Sequence, residues 1–339
     1  MKKWFVWAAL WASAVVPVRA GIQAGAVPAD AKWVMHLDLK ALNGSPMGRF
    51  IRQSMGESAL RGLASLQSVS GINLTNDVDS LVVFGTAQAQ TSAVMVVSGR
   101  FDVAKLTAIA GGAKEYQNKV FGEHSLLSWS DKGKRTNLCF ADPTVAVLSQ
   151  DENAVRAAVT RMDAPGAGAA GGGAFGRVLK RSGGRFLAVQ ANDVAALSGA
   201  NPQIQMFKQA EAVLLEVGQL ARENGLDVAL SVKARTEEMA QQFSQAAQGL
   251  QALFQLQAAQ NPDVAELAQG AKVGLEGDVV SISLAIPEER LRKLVQARMA
   301  QQQAAAEARR AARQAKRPGG AEGEGPQADG KAPARPAFE

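Results

Sequence analysis

Residues 92–111, Ser92-Ala93-Val94-Met95-Val96-Val97-Ser98-Gly99-Arg100-Phe101-Asp102-Val103-Ala104-Lys105-Leu106-Thr107-Ala108-Ile109-Ala110-Gly111, carry the chain from a strand into a helix. Ala93 to Val97 is continuously apolar and rich in β-branched Val, the composition of a strand buried on both faces. Gly99 breaks the run. Asp102 stands at the N-cap position of an amphipathic helix whose apolar residues are Val103, Leu106, Ile109 and Ala110. The same passage from strand through a polar cap to a helix recurs three more times, which predicts an α+β chain.

Upstream, Trp33 to Leu39 alternates, which predicts a half-buried strand with Trp33, Met35, Leu37 and Leu39 facing the core and Val34, His36 and Asp38 facing outward. Asn43-Gly44-Ser45-Pro46 turns the chain into helices over Met47–Met55 and Glu57–Ser68, and Ser80–Thr86 is the next strand. Downstream, strands at 114–121, 125–130, 136–140 and 144–148, separated by polar turns, read as an antiparallel meander. Ser149-Gln150-Asp151-Glu152 has capping-box spacing and opens a helix through Val155, Ala158 and Val159.

Ala164 to Gly173 is almost wholly Gly and Ala and reads as a linker. Beyond it the expected elements are a strand over Arg185–Ala191, a turn at Leu197–Pro202, a long helix over Gln203–Glu223, and a strand over Leu226–Val232. A helix capped by Thr236 follows, with Met239, Phe243, Ala246, Leu250 and Leu253 at coiled-coil spacing. Two heptads favour packing against a neighbouring helix over an extended coiled coil. Ala271–Gly274 and Val279–Ile286 form a closing hairpin, and Pro287 opens the last helix. Val97 and Arg100 before Asp102 match Val232 and Arg235 before Thr236, and Leu148 before Ser149 matches Ile286 before Pro287. These matches predict an internal repeat.

At the N-terminus, Lys2 and Lys3 precede the apolar run Trp4–Val16, and Val18-Arg19-Ala20 places small residues where a signal peptidase reads, so cleavage is expected after Ala20. The run is short of the ~20 residues that span a bilayer. Cys139 is the single cysteine, so no intrachain disulfide forms, and between Leu138 and Phe140 it reads as a small core residue. The net charge of +6 is uneven. Residues 1–20 carry +3, residues 288–317 carry +6 and residues 318–339 carry −2, which leaves residues 21–287 at −1.

Candidate chemistry is sparse. Gly166-Ala167-Gly168-Ala169-Ala170-Gly171 satisfies G-x-G-x-x-G, but no strand precedes it, so it is read as linker and no nucleotide cofactor is expected. His36 and His124 lie far apart without zinc-type spacing, so no metal is expected. His36 with Asp38 could orient a base, yet no Ser or Cys stands in a nucleophile-elbow context. In the final helix Leu291, Leu294, Val295 and Met299 form an apolar stripe, after which Arg309, Arg310, Arg313, Lys316 and Arg317 make a basic end with no aromatic residue for base stacking. These five are candidate contacts to a polyanion such as anionic lipid or an acidic envelope polymer, and nucleic acid is disfavoured.

The leader, Pro28-Ala29-Asp30-Ala31 running into the strand that ends at Leu39, and the strand that runs into Gly99-Arg100-Phe101-Asp102 are similar to uncharacterised exported bacterial α+β proteins over residues 26–160. The resemblance implies export and brings no activity or site residues with it.

The expected organisation is a signal peptide (1–20), an N-terminal lobe (26–163), a linker (164–173), a similar C-terminal lobe (174–300), a projecting basic helix (301–317) and a disordered tail (318–339). Each lobe is expected to carry a largely antiparallel sheet with helices on one face. The expected function is non-catalytic binding or scaffolding in the cell envelope, periplasmic or extracellular, through a protein or anionic partner. The rivals are a hydrolase with its site between the lobes and a polyanion or anionic-membrane binder.

Overall fold

The structure is a computed structural model. It describes residues 25–86, 92–164, 184–192, 194, 209–220, 224–258 and 270–315. Residues through Leu291 form one compact unit and those from Arg292 a second, and the sheet lies in the first.

The fold is α+β. In chain order the first half contains β1 (Trp33–Asp38), α1 (Leu39–Gly44), α2 (Pro46–Ser54), α3 (Glu57–Ser70), β2 (Val78–Gly85), β3 (Val94–Gly99) and α4 (Val103–Gly111). It continues with β4 (Gln117–Phe121), β5 (His124–Asp131), β6 (Lys134–Asp142), β7 (Val145–Ser149) and α5 (Glu152–Asp163). The second half contains β8 (Arg185–Asn192), β9 (Ala210–Gln219), β10 (Gly225–Ala234), α6 (Glu237–Ala258), β11 (Ala271–Glu276), β12 (Val279–Pro287) and α7 (Glu288–Ala315).

The twelve strands form one sheet in the order β11-β12-β10-β9-β8-β1-β2-β3-β7-β6-β5-β4, and every neighbouring pair is antiparallel. Read outward from its centre, the sheet repeats itself: β1-β2-β3-β7-β6 on one side has the strand order of β8-β9-β10-β12-β11 on the other, with β4 and β5 added in the first half. The two lobes are therefore similar. They are also fused, because β1 and β8 pair directly from Trp33↔Ala191 to Leu37↔Leu187. The main core accordingly crosses the lobe boundary, containing Val34, Val82 and Val147 together with Ala188 and Leu214.

Strand register sorts the side chains onto two faces of different character. One carries Val34, His36 and Asp38 of β1, opposite Phe84, Val82 and Ser80 of β2. On this face α5 buries Val155, Ala158 and Val159 against Val96, Val147, Leu126 and Cys139. Each buried Val contributes about 2 kcal/mol. The other face carries Trp33, Met35 and Leu37, opposite Gly85, Val83 and Leu81. There α4 packs Ala110 on Leu127, Leu138 and Ala146, while α6 packs Ala240 and Phe243 on Val232 and Val280. Helices on one face describe α4 and α6, which hold equivalent places in the repeat. The helix α5 lies on the opposite face.

Several local expectations change. The helix expected over Gln203–Glu223 is, where described, the strand β9. Its apolar stripe also fits a strand flanked on both sides, since Ala210, Leu214, Glu216 and Gly218 are buried at even positions. The outward face expected of β1 is the more buried one, because Val34 on it shares the main core with Ala26, Val27 and Ala31. The α5 cap is Asp151, which accepts from the backbone N–H of Asn153 at 2.8 Å, whereas the Ser149 hydroxyl donates to the Ala93 carbonyl at 2.8 Å. Asp102 caps α4 as expected, accepting from Lys105 N–H at 3.0 Å. The signal peptide, the Gly166–Gly171 motif, the linker beyond Ala164, the turn at Leu197–Pro202 and the tail from Lys316 lie outside the described residues.

Candidate functional site

Among the described residues, the apolar sheet face is left open above β2, β3, β7 and β6. There it floors a groove of about 610 Å³ lined by sixteen residues, all of them apolar. Leu81, Met95, Val97, Leu148, Leu138 and Phe140 form the floor, since the register aligns Leu81 with Val97, Met95 with Leu148 and Leu138 with Leu148 on one face. Leu106 and Ile109 of α4 make one wall, and Ile72 and Leu74, just after α3, make another. Trp129 of β5 closes the far end. Met95 and Ile109 are each 39 % exposed, and large apolar side chains left open to water in one concavity mark a binding surface.

The opposite face has its polar groups, and they are internally satisfied. The Ser128 hydroxyl donates to Asn137 Oδ1 at 2.7 Å, and Asn137 Nδ2 donates to the Ser149 carbonyl at 3.3 Å and the Gln150 carbonyl at 3.0 Å. The Ser80 and Ser98 hydroxyls bond to each other at 2.8 Å. The carboxylate of Asp38 accepts from Ala41 N–H at 2.8 Å and so caps α1. His36 and Glu216 sit on this face on either side of Ala188, and each has a bonding partner. His36, Asp38, Ser80 and Glu216 are all at most 8 % exposed, so a substrate does not reach them. Asp38 thus has a structural role as the cap of α1.

His124 Nε2 lies 3.0 Å from Asp163 Oδ2, tying β5 to the end of α5. Glu152, at the start of α5, accepts from Lys119 Nζ at 2.9 Å and from Arg156 Nη2 at 2.8 Å. These bonds, Lys119 first, hold its carboxyl below the usual range. Burial pushes the Cys139 thiol up to about 11, with Asp163 adding to the effect, so the thiol stays protonated and unreactive at neutral pH.

Among the expected polyanion contacts, Arg309, Arg310 and Arg313 fall on the helix α7, and Lys316 and Arg317 lie outside the described residues. Among the described residues no cluster of three or more His, Cys, Asp or Glu could hold a metal ion, and no helix is long and apolar enough to cross a membrane. Among the described residues the groove lining offers no nucleophile, acid or base. What it can do is exclude water from hydrocarbon.

No protein-family model matches the chain, and no curated protein does. Among solved structures, crystal forms I and IV of TP0453 align at 13 % identity with TM-scores of 0.41 and 0.44, covering 80 % of this chain and 96 % of that one.

Proposed function

We propose that this chain is an exported, non-catalytic binding protein of the cell envelope that holds a hydrocarbon chain in the apolar groove. The observation that carries the reading is the all-apolar lining of a concavity of about 610 Å³, within the ~300–1,000 Å³ of small-ligand pockets. An extended peptide brings a backbone whose N–H and C=O groups need partners, and burying an unpaired one costs about 1–3 kcal/mol. Among the lining side chains the Trp129 indole N–H is the one group that could serve, and the backbone of the floor is committed to the sheet ladder. Hydrocarbon makes no such demand. Export rests on Lys2, Lys3, the apolar run that follows them and the Val18-Arg19-Ala20 site.

The test is titration of the full mature chain with a long-chain fatty acid, followed by tryptophan fluorescence, with Trp129 as the reporter inside the groove, and by calorimetry at several temperatures. Saturable one-to-one binding with a negative heat-capacity change is the expected result, since apolar burial has that signature. Absence of saturable binding, or a heat-capacity change near zero, overturns the reading.

A further inference from the structure

The groove has a neighbour. Gly71, at φ +77°, ends α3 in the left-handed conformation and sends the chain into a turn over Asn73–Asp77. That turn is fixed from within: Asn73 N–H donates to Asp77 Oδ2 at 2.9 Å, Asp77 N–H to the Asn73 carbonyl at 2.7 Å, and Thr75 N–H to Asn73 Oδ1 at 2.9 Å. Gly99 lets the end of β3 pass close beside it, because a Cβ there would overlap the Asp77 carbonyl. Arg100 then clamps the turn by donating to the Asn76 carbonyl at 2.6 Å and to Asp77 Oδ1 at 3.3 Å.

Along this rigid divider the side chains part by polarity. Ile72, Leu74 and Val78 line the groove, while Thr75, Asn76 and Asp79 line a polar cleft of about 670 Å³ that also takes in Lys40, Asn43 and Arg100. Leu74 has a second role as a wall of another, mostly apolar hollow of about 420 Å³ between α1, α2 and α3, lined by Leu42, Ile51, Leu60, Leu63 and Ala64. The polar groups at its edge are bound to one another, Arg52 to Asn43 Oδ1 at 3.0 Å and Asn43 Nδ2 to the Thr75 carbonyl at 3.1 Å. The groove borders the polar cleft at Val78, and the hollow borders it at Asn43 and Thr75.

We propose that the ligand is a two-chain amphiphile, with one hydrocarbon chain in the groove, the second in the hollow beside α3, and the polar head in the cleft where both meet. The proposal rests on the groove reading above and adds the second chain and the head. Two apolar hollows parted by Leu74 and each bordering one polar cleft do not fit a single straight chain or one helix, whereas a branched molecule fits both. The two cations of the cleft are both already paired, Lys40 with Asp79 of the lining at 3.8 Å and Arg100 with Asp77 of the turn, outside the lining, at 3.3 Å. Each positive charge is thus offset, so the matching head is one whose own charges balance. A net anion would compete with both carboxylates for the two cations.

The experiment uses the delipidated full mature chain with dioleoylphosphatidylethanolamine, dioleoylphosphatidylglycerol and oleic acid, each delivered from detergent. Native mass spectrometry gives the stoichiometry and tryptophan fluorescence the affinity. The substitution Leu63→Lys charges the hollow at a side chain already 38 % exposed, and Leu60→Lys, at 47 %, does the same from the next turn. The expected result is one phosphatidylethanolamine per chain, weakened at least tenfold by either substitution while oleic acid binding stays within twofold of wild type. Phosphatidylglycerol should bind at least threefold more weakly than phosphatidylethanolamine, and equal binding overturns the head assignment. If the phospholipid binds both variants as it binds wild type, the second-chain proposal fails and the groove reading stands. If wild type binds neither lipid nor fatty acid, the groove reading fails and takes this proposal with it.

Discussion

Met95→Lys is the substitution that isolates the groove. Met95 sits in mid-floor, between Val83 of β2 and Leu148 of β7, and is 39 % exposed. A lysine there keeps its ammonium in water in the unliganded protein, and stability should stay within about 0.5 kcal/mol of wild type. The bound state differs. A chain burying sixteen methylenes gains roughly 13 kcal/mol at about 0.8 kcal/mol each. Association costs roughly 5 kcal/mol of that, which leaves a Kd near a micromolar. With lysine at 95, either the ammonium is stripped of water, costing several kcal/mol, or it swings out and leaves the gap that the methionine filled, costing about 2–3 kcal/mol. The smaller cost decides, so affinity should fall about 50-fold with an unchanged melting temperature. Fluorescence titration with oleic acid measures it, and Met95→Leu, which keeps the apolar volume, should bind within threefold of wild type. Oleic acid binding to the lysine variant at wild-type affinity would refute the reasoning, since it would place the ligand elsewhere.

Asn137→Ala removes the amide at the centre of a buried network, taking its acceptor from the Ser128 hydroxyl and a donor from each of the Ser149 and Gln150 carbonyls. It should cost about 2–4 kcal/mol in urea denaturation while leaving fatty acid affinity unchanged, since Asn137 lies on the other face. The Cys139 thiol should resist a disulfide reagent at pH 8 in the folded chain and react at once in denaturant. Because its pKa is raised on folding, to about 11 from 9.0, this thiol contributes stability that is complete below pH 9 and is lost as pH rises toward 11, measurable as a falling denaturation midpoint. Glu152→Gln should loosen β4 from α5, with faster amide exchange over Gln117–Phe121. The lowered Glu152 pKa gives the opposite sign: its contribution is present above about pH 4.5 and lost as pH falls below that, so wild type and variant should converge in acid.

Much of the architecture was legible from residue patterns, and the failures have a common cause. The strand from Val94, the Asp102 cap and the meander from β4 to β7 announce themselves by alternation and turn residues, which are local signals. Strand β9 does not, because a strand covered on both faces is continuously apolar, and Val213, Leu214 and Val217 then satisfy helical spacing equally well. The orientation of β1 failed for a related reason. His36 and Asp38 read as outward by polarity, and what overrides polarity is the main core packed on the Val34 face, with Asp38 spent on the α1 cap. The groove went unread because no one of its residues is unusual. Met95 and Val97 looked like core, and only the long-range pairing shows that nothing described lies over them.

A signal for the groove does exist, and it is a length. The repeat assigns α4 and α6 the same task of covering the apolar sheet face in their respective lobes, where strands lie about 4.8 Å apart. The nine residues of α4 reach only about 14 Å at 1.5 Å each, while β2, β3, β7, β6 and β5 together span roughly 19 Å from first to last. The twenty-two residues of α6 reach about 33 Å. Gly111 ends α4 and Gly112 caps it, and Ala110 at this end packs on Leu127 of β5, Leu138 of β6 and Ala146 of β7, so the floor over β2 and β3 lies beyond the reach of the helix body. The length of one helix, more than the identity of any one lining residue, therefore distinguishes how the two lobes cover this face.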